Sequence, residues 1–214
     1  MNFENSLIIL FAASMLYVAV TSRLEAYIKA LAFQGFLLFV LAVFFNIPHG
    51  DFLTTGFIVF ETFFLKMIVI PLYLRKVIRD NEILRETEPY IPNLYSLIIV
   101  SLLTAVGFLF AGITSKVQHP VNPIYFGVSI STIMTGIFII MTRKKLITHV
   151  IGYIFMENGI FLLSLSAAGE MPGVVSLGVA LDIFIWAFLA GVFLRRMQGA
   201  FPEQDIDKLK GLRG

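Results

Sequence analysis

The sequence predicts an all-α, polytopic membrane protein of about seven transmembrane helices, and three observations carry that prediction. Hydrophobic residues make up 58% of the 214, charged residues only 14%, and mean hydropathy is +0.88, more apolar surface than a water-soluble domain of this length could hide. Seven apolar runs reach spanning length, about 20 residues each. The basic residues gather on one side of the breaks between those runs, as the positive-inside rule requires of a multi-pass chain.

The runs lie at about 5–22, 26–46, 52–74, 94–114, 122–142, 146–168 and 172–194. The first follows Met1 to Asn5, which lacks the basic start of a signal peptide, and is therefore read as a retained helix. It stops at Arg23 and Glu25, and the second at Pro48-His-Gly-Asp51. The third enters a charged segment, Arg75 to Asn93, that holds Pro89 and Pro92 and is expected to be partly helical, then extended. Lys116 to Pro123 closes the fourth run, Arg143 to Lys145 the fifth, and Gly169 to Gly173 the sixth. The tail 201–214 carries Ile206, Leu209 and Leu212 at three-residue steps, a short amphipathic helix suited to a cytoplasmic partner or to membrane lipid.

Fourteen basic residues fall on the side of Arg23, Arg75, Arg79, Arg143 and Lys144, against Lys116 alone on the other. The N-terminus is then outside and the C-terminus cytoplasmic. A weak internal repeat accompanies this topology. A shift of 121 residues lays Glu61 on Asp182 and Arg75 on Arg196, and a shift of 124 lays Gln34-Gly35 on Asn158-Gly159. One helix separates the two triplets, so they cross the membrane in the same sense as a parallel repeat. The expected organisation is a three-helix unit at 1–78, a cytoplasmic loop and linking helix at 79–121, a second three-helix unit at 122–196, and a cytoplasmic tail at 197–214.

Composition also excludes functions. Without cysteine the chain can hold neither an iron–sulfur cluster nor a thiolate metal site. The three histidines (His49, His119, His149) sit near run ends, so a bis-histidine membrane haem is not expected. A net charge of +2 is too small to suggest nucleic acid. The 22 phenylalanines and Trp186 read as lipid-facing and packing surface.

The residues that invite a function are polar groups inside the runs. Glu157 lies about 16 Å from the basic start of the sixth run, near the bilayer midplane. Glu61 lies 14 residues before Arg75 and Asp182 lies 13 before Arg195, both about 20 Å from the same boundary. Gln34 is near the middle of the second run. A carboxylate in hydrocarbon costs several kcal/mol unless paired, hydrogen-bonded or protonated, which makes each a functional candidate. Protonatable groups at one depth on several helices suit a lateral proton relay bridged by water; neutral acids that glue helices together are the plainer reading. Lys66 follows Glu61 by five residues, about 140° around an α-helix, which is not the spacing of an intrahelical ion pair. It must find another carboxylate, be neutral or snorkel, and Pro71 beyond it can kink the helix. His149, eight residues before Glu157, could pass protons from the cytoplasmic side or simply be solvated.

The run Met-Glu-Asn-Gly-Ile-Phe-Leu-Leu at 156–163, the stretch Gly178 to Ile185 and the tail Asp205 to Gly211 resemble the hydrogenase-4 component E family. Its members are membrane subunits of group 4 nickel–iron hydrogenases and formate hydrogenlyase-type complexes, similar in turn to the small K-type subunit of respiratory complex I. The resemblance implies a subunit of an ion-pumping hydrogenase in a prokaryotic cytoplasmic (inner) membrane, with no catalytic centre, metal or cofactor of its own. The nickel–iron centre and iron–sulfur clusters would belong to peripheral hydrogenase subunits, and antiporter-like and quinone-module-like membrane subunits would be neighbours. Glu157 and Asp182 match the two K-type carboxylates, whereas the first triplet keeps only Glu61 and has Gln34 near the other position. A subunit of a cation/proton antiporter and a structural spacer between pumping subunits remain the alternatives.

The topology is directly testable because the chain has no native cysteine. Single cysteines replacing Arg79, Lys144 and Lys208 should be labelled from the cytoplasmic side, and those replacing Asp51 and Glu170 from outside. Labelling of positions 144 and 170 from one side would refute the seven-helix reading.

Overall fold

A computed structural model describes residues 3–46, 56, 58–80, 89–114 and 122–167. Every element among them is helical: α1 (Phe3–Val20), α2 (Leu24–Asn46), a π-helix π1 (Glu61–Val69) continuing into α3 (Ile70–Asp80), α4 (Asn93–Thr114), α5 (Pro123–Thr142) and α6 (Leu146–Ala167). Five of these, α1, α2, α4, α5 and α6, are long and apolar enough to cross a membrane, and the chain is an all-α polytopic membrane protein. Their ends fall close to those expected from the runs. The seventh run and the tail lie outside the described residues.

Local chemistry explains several of the ends. Asn122 caps α5, its side-chain oxygen accepting from the Ile124 N–H at 3.1 Å, and Pro123 occupies the first helical position, where no N–H is needed. The turn between α1 and α2 is held by the Arg23 N–H donating to Thr21 Oγ1 and by the Tyr27 hydroxyl donating to the Thr21 carbonyl, at 3.2 and 3.0 Å. The third helix runs on to Asp80, past the expected end at 74, while residues 89–92 are non-helical as two prolines require.

That third helix differs from the α-helix assumed above in a way that matters. Over Glu61–Val69 its backbone is π-helical, and the Ile70 N–H closes the segment by donating to the Leu65 carbonyl, five residues back. A helix that bonds five residues back is wound more loosely than an α-helix. Glu61 and Lys66 are therefore closer in angle than the ~140° of an α-helix. Pro71, which has no N–H to donate, follows directly.

Small residues set the helix spacing, as expected where lipid is as apolar as the side chains and close packing must do the work. A Cβ on Gly136 of α5 would stand 2.7 Å from the Gly152 carbonyl oxygen of α6, and one on Gly159 would stand 2.9 Å from the Ile133 nitrogen. Gly107 of α4 meets the Gly127 carbonyl of α5 in the same manner. Gly35 of α2 lets that helix lie on the backbone of π1, its Cβ position 2.8 Å from the Lys66 carbonyl. Buried serine and threonine hydroxyls of α5 stay within their own helix: Ser129, Thr132 and Thr135 donate to the Tyr125, Val128 and Ser131 carbonyls at 2.6 to 2.7 Å. Leu7, Phe11, Leu38, Leu41, Tyr125 and Leu162 form an apolar core shared by α1, α2, α5 and α6.

Three connections meet at one end of this bundle. Arg143, in the α5–α6 turn, is 2% exposed; its guanidinium lies 6.0 Å from the Tyr27 ring and donates to Asn93 Oδ1 at 3.4 Å. The Tyr90 N–H donates to the Thr142 carbonyl at 3.0 Å, and Lys144 stands 5.0 Å over the Tyr90 ring. Arg143, counted from sequence among the basic residues at a run boundary, is thus buried as a clasp.

The tight α5–α6 seam makes a prediction. Gly136→Val should force the helices apart and cost about 1–3 kcal/mol or more. Gly112→Ala, where nothing lies within 4 Å of the new methyl, should be neutral or stabilise by up to about 1 kcal/mol. Unfolding midpoints in detergent check both; equal midpoints would show that the seam is not close-packed.

Candidate functional site: a buried lysine–glutamate pair

The two ionisable groups hardest to place from sequence meet each other. Lys66 of π1 donates from Nζ to Glu157 Oε1 of α6, an ion pair between residues 91 apart in sequence. Lys66 is 4% exposed and Glu157 2%, and the ammonium also stands 4.3 Å from the centroid of the Phe161 ring, one turn beyond Glu157 on α6. Of the three fates open to the lysine, it has found a carboxylate.

Glu61 completes the cluster. It is buried at 2% exposure on π1, and among the described residues neither its carboxyl oxygens nor Glu157 Oε2 has a hydrogen-bond partner. The charges of both Lys66 and Glu157 act on it. The π-helical ladder is what lets Glu61 and Lys66 present themselves together.

A neutral hydrogen-bonded chain begins at the residue after Glu157. Asn158 Nδ2 donates to Gln34 Oε1 at 3.1 Å, and Gln34 Nε2 donates to Ser14 Oγ at 2.7 Å and contacts Met15 Sδ at 2.8 Å. Ser14 in turn donates to the Phe11 carbonyl at 2.6 Å. Three helices, α6, α2 and α1, are thereby tied by amides and a hydroxyl, none of which titrates. Gln34 and Asn158 are the residues that the 124-residue shift superposes.

Of the sequence candidates, Glu61, Lys66 and Glu157 thus come together and Gln34 joins them through Asn158. His149 does not. Its Nε2–H donates to the Arg143 carbonyl at 2.6 Å, about 12 Å along the helix from Glu157, where it stabilises the α5–α6 turn. Asp182 lies outside the described residues. Asn158 and Ser14 join the site without being evident from sequence; the Gln34-Gly35 and Asn158-Gly159 match is the available signal for the first, and none exists for the second. Among the described residues no group of three or more His, Cys, Asp or Glu could hold a metal ion.

Comparison with known proteins places this geometry in context. The chain is 27% identical over 220 residues to Rv0085 of Mycobacterium tuberculosis, an uncharacterized protein, covering 99% of each. It is 20% identical over 155 residues to Hydrogenase-4 component E of Escherichia coli K12, covering 72% of this chain and 71% of that one, and equally to the protein of that name in Shigella flexneri. No family model and no solved structure matches the chain.

A double-mutant cycle measures the pair. Lys66→Met alone should destabilise the protein by on the order of 3 kcal/mol, because Glu157 loses its partner in a low-dielectric site. Lys66→Met with Glu157→Gln should cost less than the sum of the single changes. Additive losses in detergent unfolding would mean that the two side chains are not coupled.

Proposed function

We propose that this chain is a non-redox membrane subunit of a multi-subunit, membrane-bound nickel–iron hydrogenase-type complex, and that its buried charges form part of a proton path coupled to electron transfer elsewhere in the assembly. The observation that carries the reading is the Lys66–Glu157 ion pair buried between π1 and α6, with a second buried carboxyl, Glu61, on the same helix as the lysine. The distant similarity to Hydrogenase-4 component E supplies the kind of assembly.

The chemistry follows from the residue types. Carboxyls and an ammonium can each take up or release a proton, whereas the amides of Gln34 and Asn158 can only orient neighbours and water. An ammonium shared between helices links the charge state of one to the position of the other, so a proton arriving at either carboxylate changes which contacts the lysine can keep. Asp182, which sequence places at the depth of Glu61, would extend the path. Redox centres are left to partner subunits, in keeping with the lack of cysteine.

Purification in mild detergent should recover this chain with other membrane subunits and a nickel–iron hydrogenase pair. Glu157→Gln should leave that assembly intact while proton translocation per turnover falls about tenfold or more, an acid–base group having been removed. A chain that transports ions alone in liposomes would favour the antiporter reading. Unchanged pumping in an assembled Glu157→Gln complex would favour the spacer.

A further inference from the structure

At the rim of the bundle, an open cleft of about 1260 Å³ lies between the start of α2 and the charged end of α3. It exceeds the roughly 300–1,000 Å³ usual for a small-molecule site. Arg75, Lys76 and Arg79 bring three cations to its lining, and a smaller pocket that shares Glu25, Ile28 and Arg75 with it adds Lys29. Glu25 and Asp80 bring two carboxylates, so four cations stand against two acids, a net charge of +2. Among the described residues none of the four cations is held in an ion pair. The groups are also layered by depth. α2 enters the bundle at this end and α3 leaves it there, with Glu25 and Asp80 in the outermost turn of each helix. Lys29 and Arg75 stand about 6 and 8 Å further in, and Leu72 about 12 Å in from Asp80. Leu72 is 59% exposed, whereas Ile28 and Ile78 of the same lining are buried.

We propose that this cleft binds an anionic phospholipid, its phosphate held by Lys29, Arg75, Lys76 and Arg79 and its upper acyl chain lying along Leu72. A ligand that is charged toward the rim and apolar toward the membrane interior matches the order of the lining; a soluble phosphate would leave Leu72 uncovered. The excess of cations selects an anionic headgroup, because a zwitterionic one cancels most of its phosphate charge with its own ammonium. Anionic lipid gives the cytoplasmic leaflet its negative surface potential, and the basic residues assign this end of the bundle to that side. A bound headgroup would bridge α2 and α3 at the point where their like charges otherwise repel. The cleft is separate from the buried Lys66–Glu157 pair and takes no part in the proton path.

Native mass spectrometry of the purified full chain in detergent, titrated with dioleoyl phosphatidylglycerol or dioleoyl phosphatidylcholine, tests the site. Phosphatidylglycerol should bind about tenfold or more tightly than phosphatidylcholine, and Lys29→Gln, Arg75→Gln and Arg79→Gln should each weaken it about fivefold. Arg23→Gln, at the same rim but outside the lining, should leave it unchanged. Arg75→Lys, which keeps the charge, should retain binding, and Glu25→Gln should tighten it, a gain that misfolding does not produce. Equal affinity for the two lipids would overturn the proposal, as would equal losses in Arg23→Gln and Arg75→Gln. Tighter binding of dioleoyl phosphatidylethanolamine than of phosphatidylglycerol would assign the outer acids to an ammonium headgroup and overturn it. Displacement of the lipid by inorganic phosphate at equal concentration would assign the cleft to a soluble anion and overturn it too. Lipid binding unchanged in Arg75→Gln, with loss of a co-purifying membrane subunit, would give the cleft to a protein partner instead.

Discussion

An ammonium and a carboxylate buried between helices in an apolar bundle constrain nearly everything around them. Separating either from water costs several kcal/mol, and their attraction offsets that only when the partners are held in place. The holding is visible in the neighbours: the Phe161 ring against the ammonium, Gly35 bringing α2 onto the Lys66 backbone, and Asn158 fixing α6 to α2 one residue beyond Glu157. The pair is thus the reason for close packing at this level of the bundle as much as its result.

Elsewhere the helices keep their polarity to themselves. The serine and threonine hydroxyls of α5 return to carbonyls of their own helix, and its close contacts with α4 and α6 run through Gly107, Gly127, Gly136, Gly152 and Gly159. Polar contacts between helices among the described residues include the Lys66–Glu157 pair, the Ser14–Gln34–Asn158 chain and, at one end, the Arg143 clasp. Such an arrangement suits a protein in lipid, where an unsatisfied group cannot fall back on water.

Sequence made the helices legible because length and hydropathy suffice to mark a span, and α1, α2, α4, α5 and α6 begin and end close to the positions those properties indicate. It also marked Glu157 and Lys66 as costly groups in need of partners. It could not pair them. A membrane helix such as α1 is apolar nearly all round, so no amphipathic stripe tells which face is interior, and nothing local relates residues 66 and 157. The π-helical form of the third helix was equally hidden, since the reading assumed 3.6 residues per turn. Positive-inside counting also treats all basic residues at a boundary alike, so it does not reveal that Arg143 is packed against Tyr27 and Asn93.

The π-helix has a mechanical corollary. Each of its hydrogen-bonded rings encloses one residue more than the α-helical ring, so the segment Glu61–Val69 stores slack that the continuous α3 beyond it does not. Reeling in one such residue would turn everything downstream by about 100° and displace it by about 1.5 Å. Downstream lie Arg75, Lys76 and Arg79 on the charged end of α3. Lys66 in the bundle interior and the cations at its rim are therefore mounted on a single shaft, with a slip joint between them.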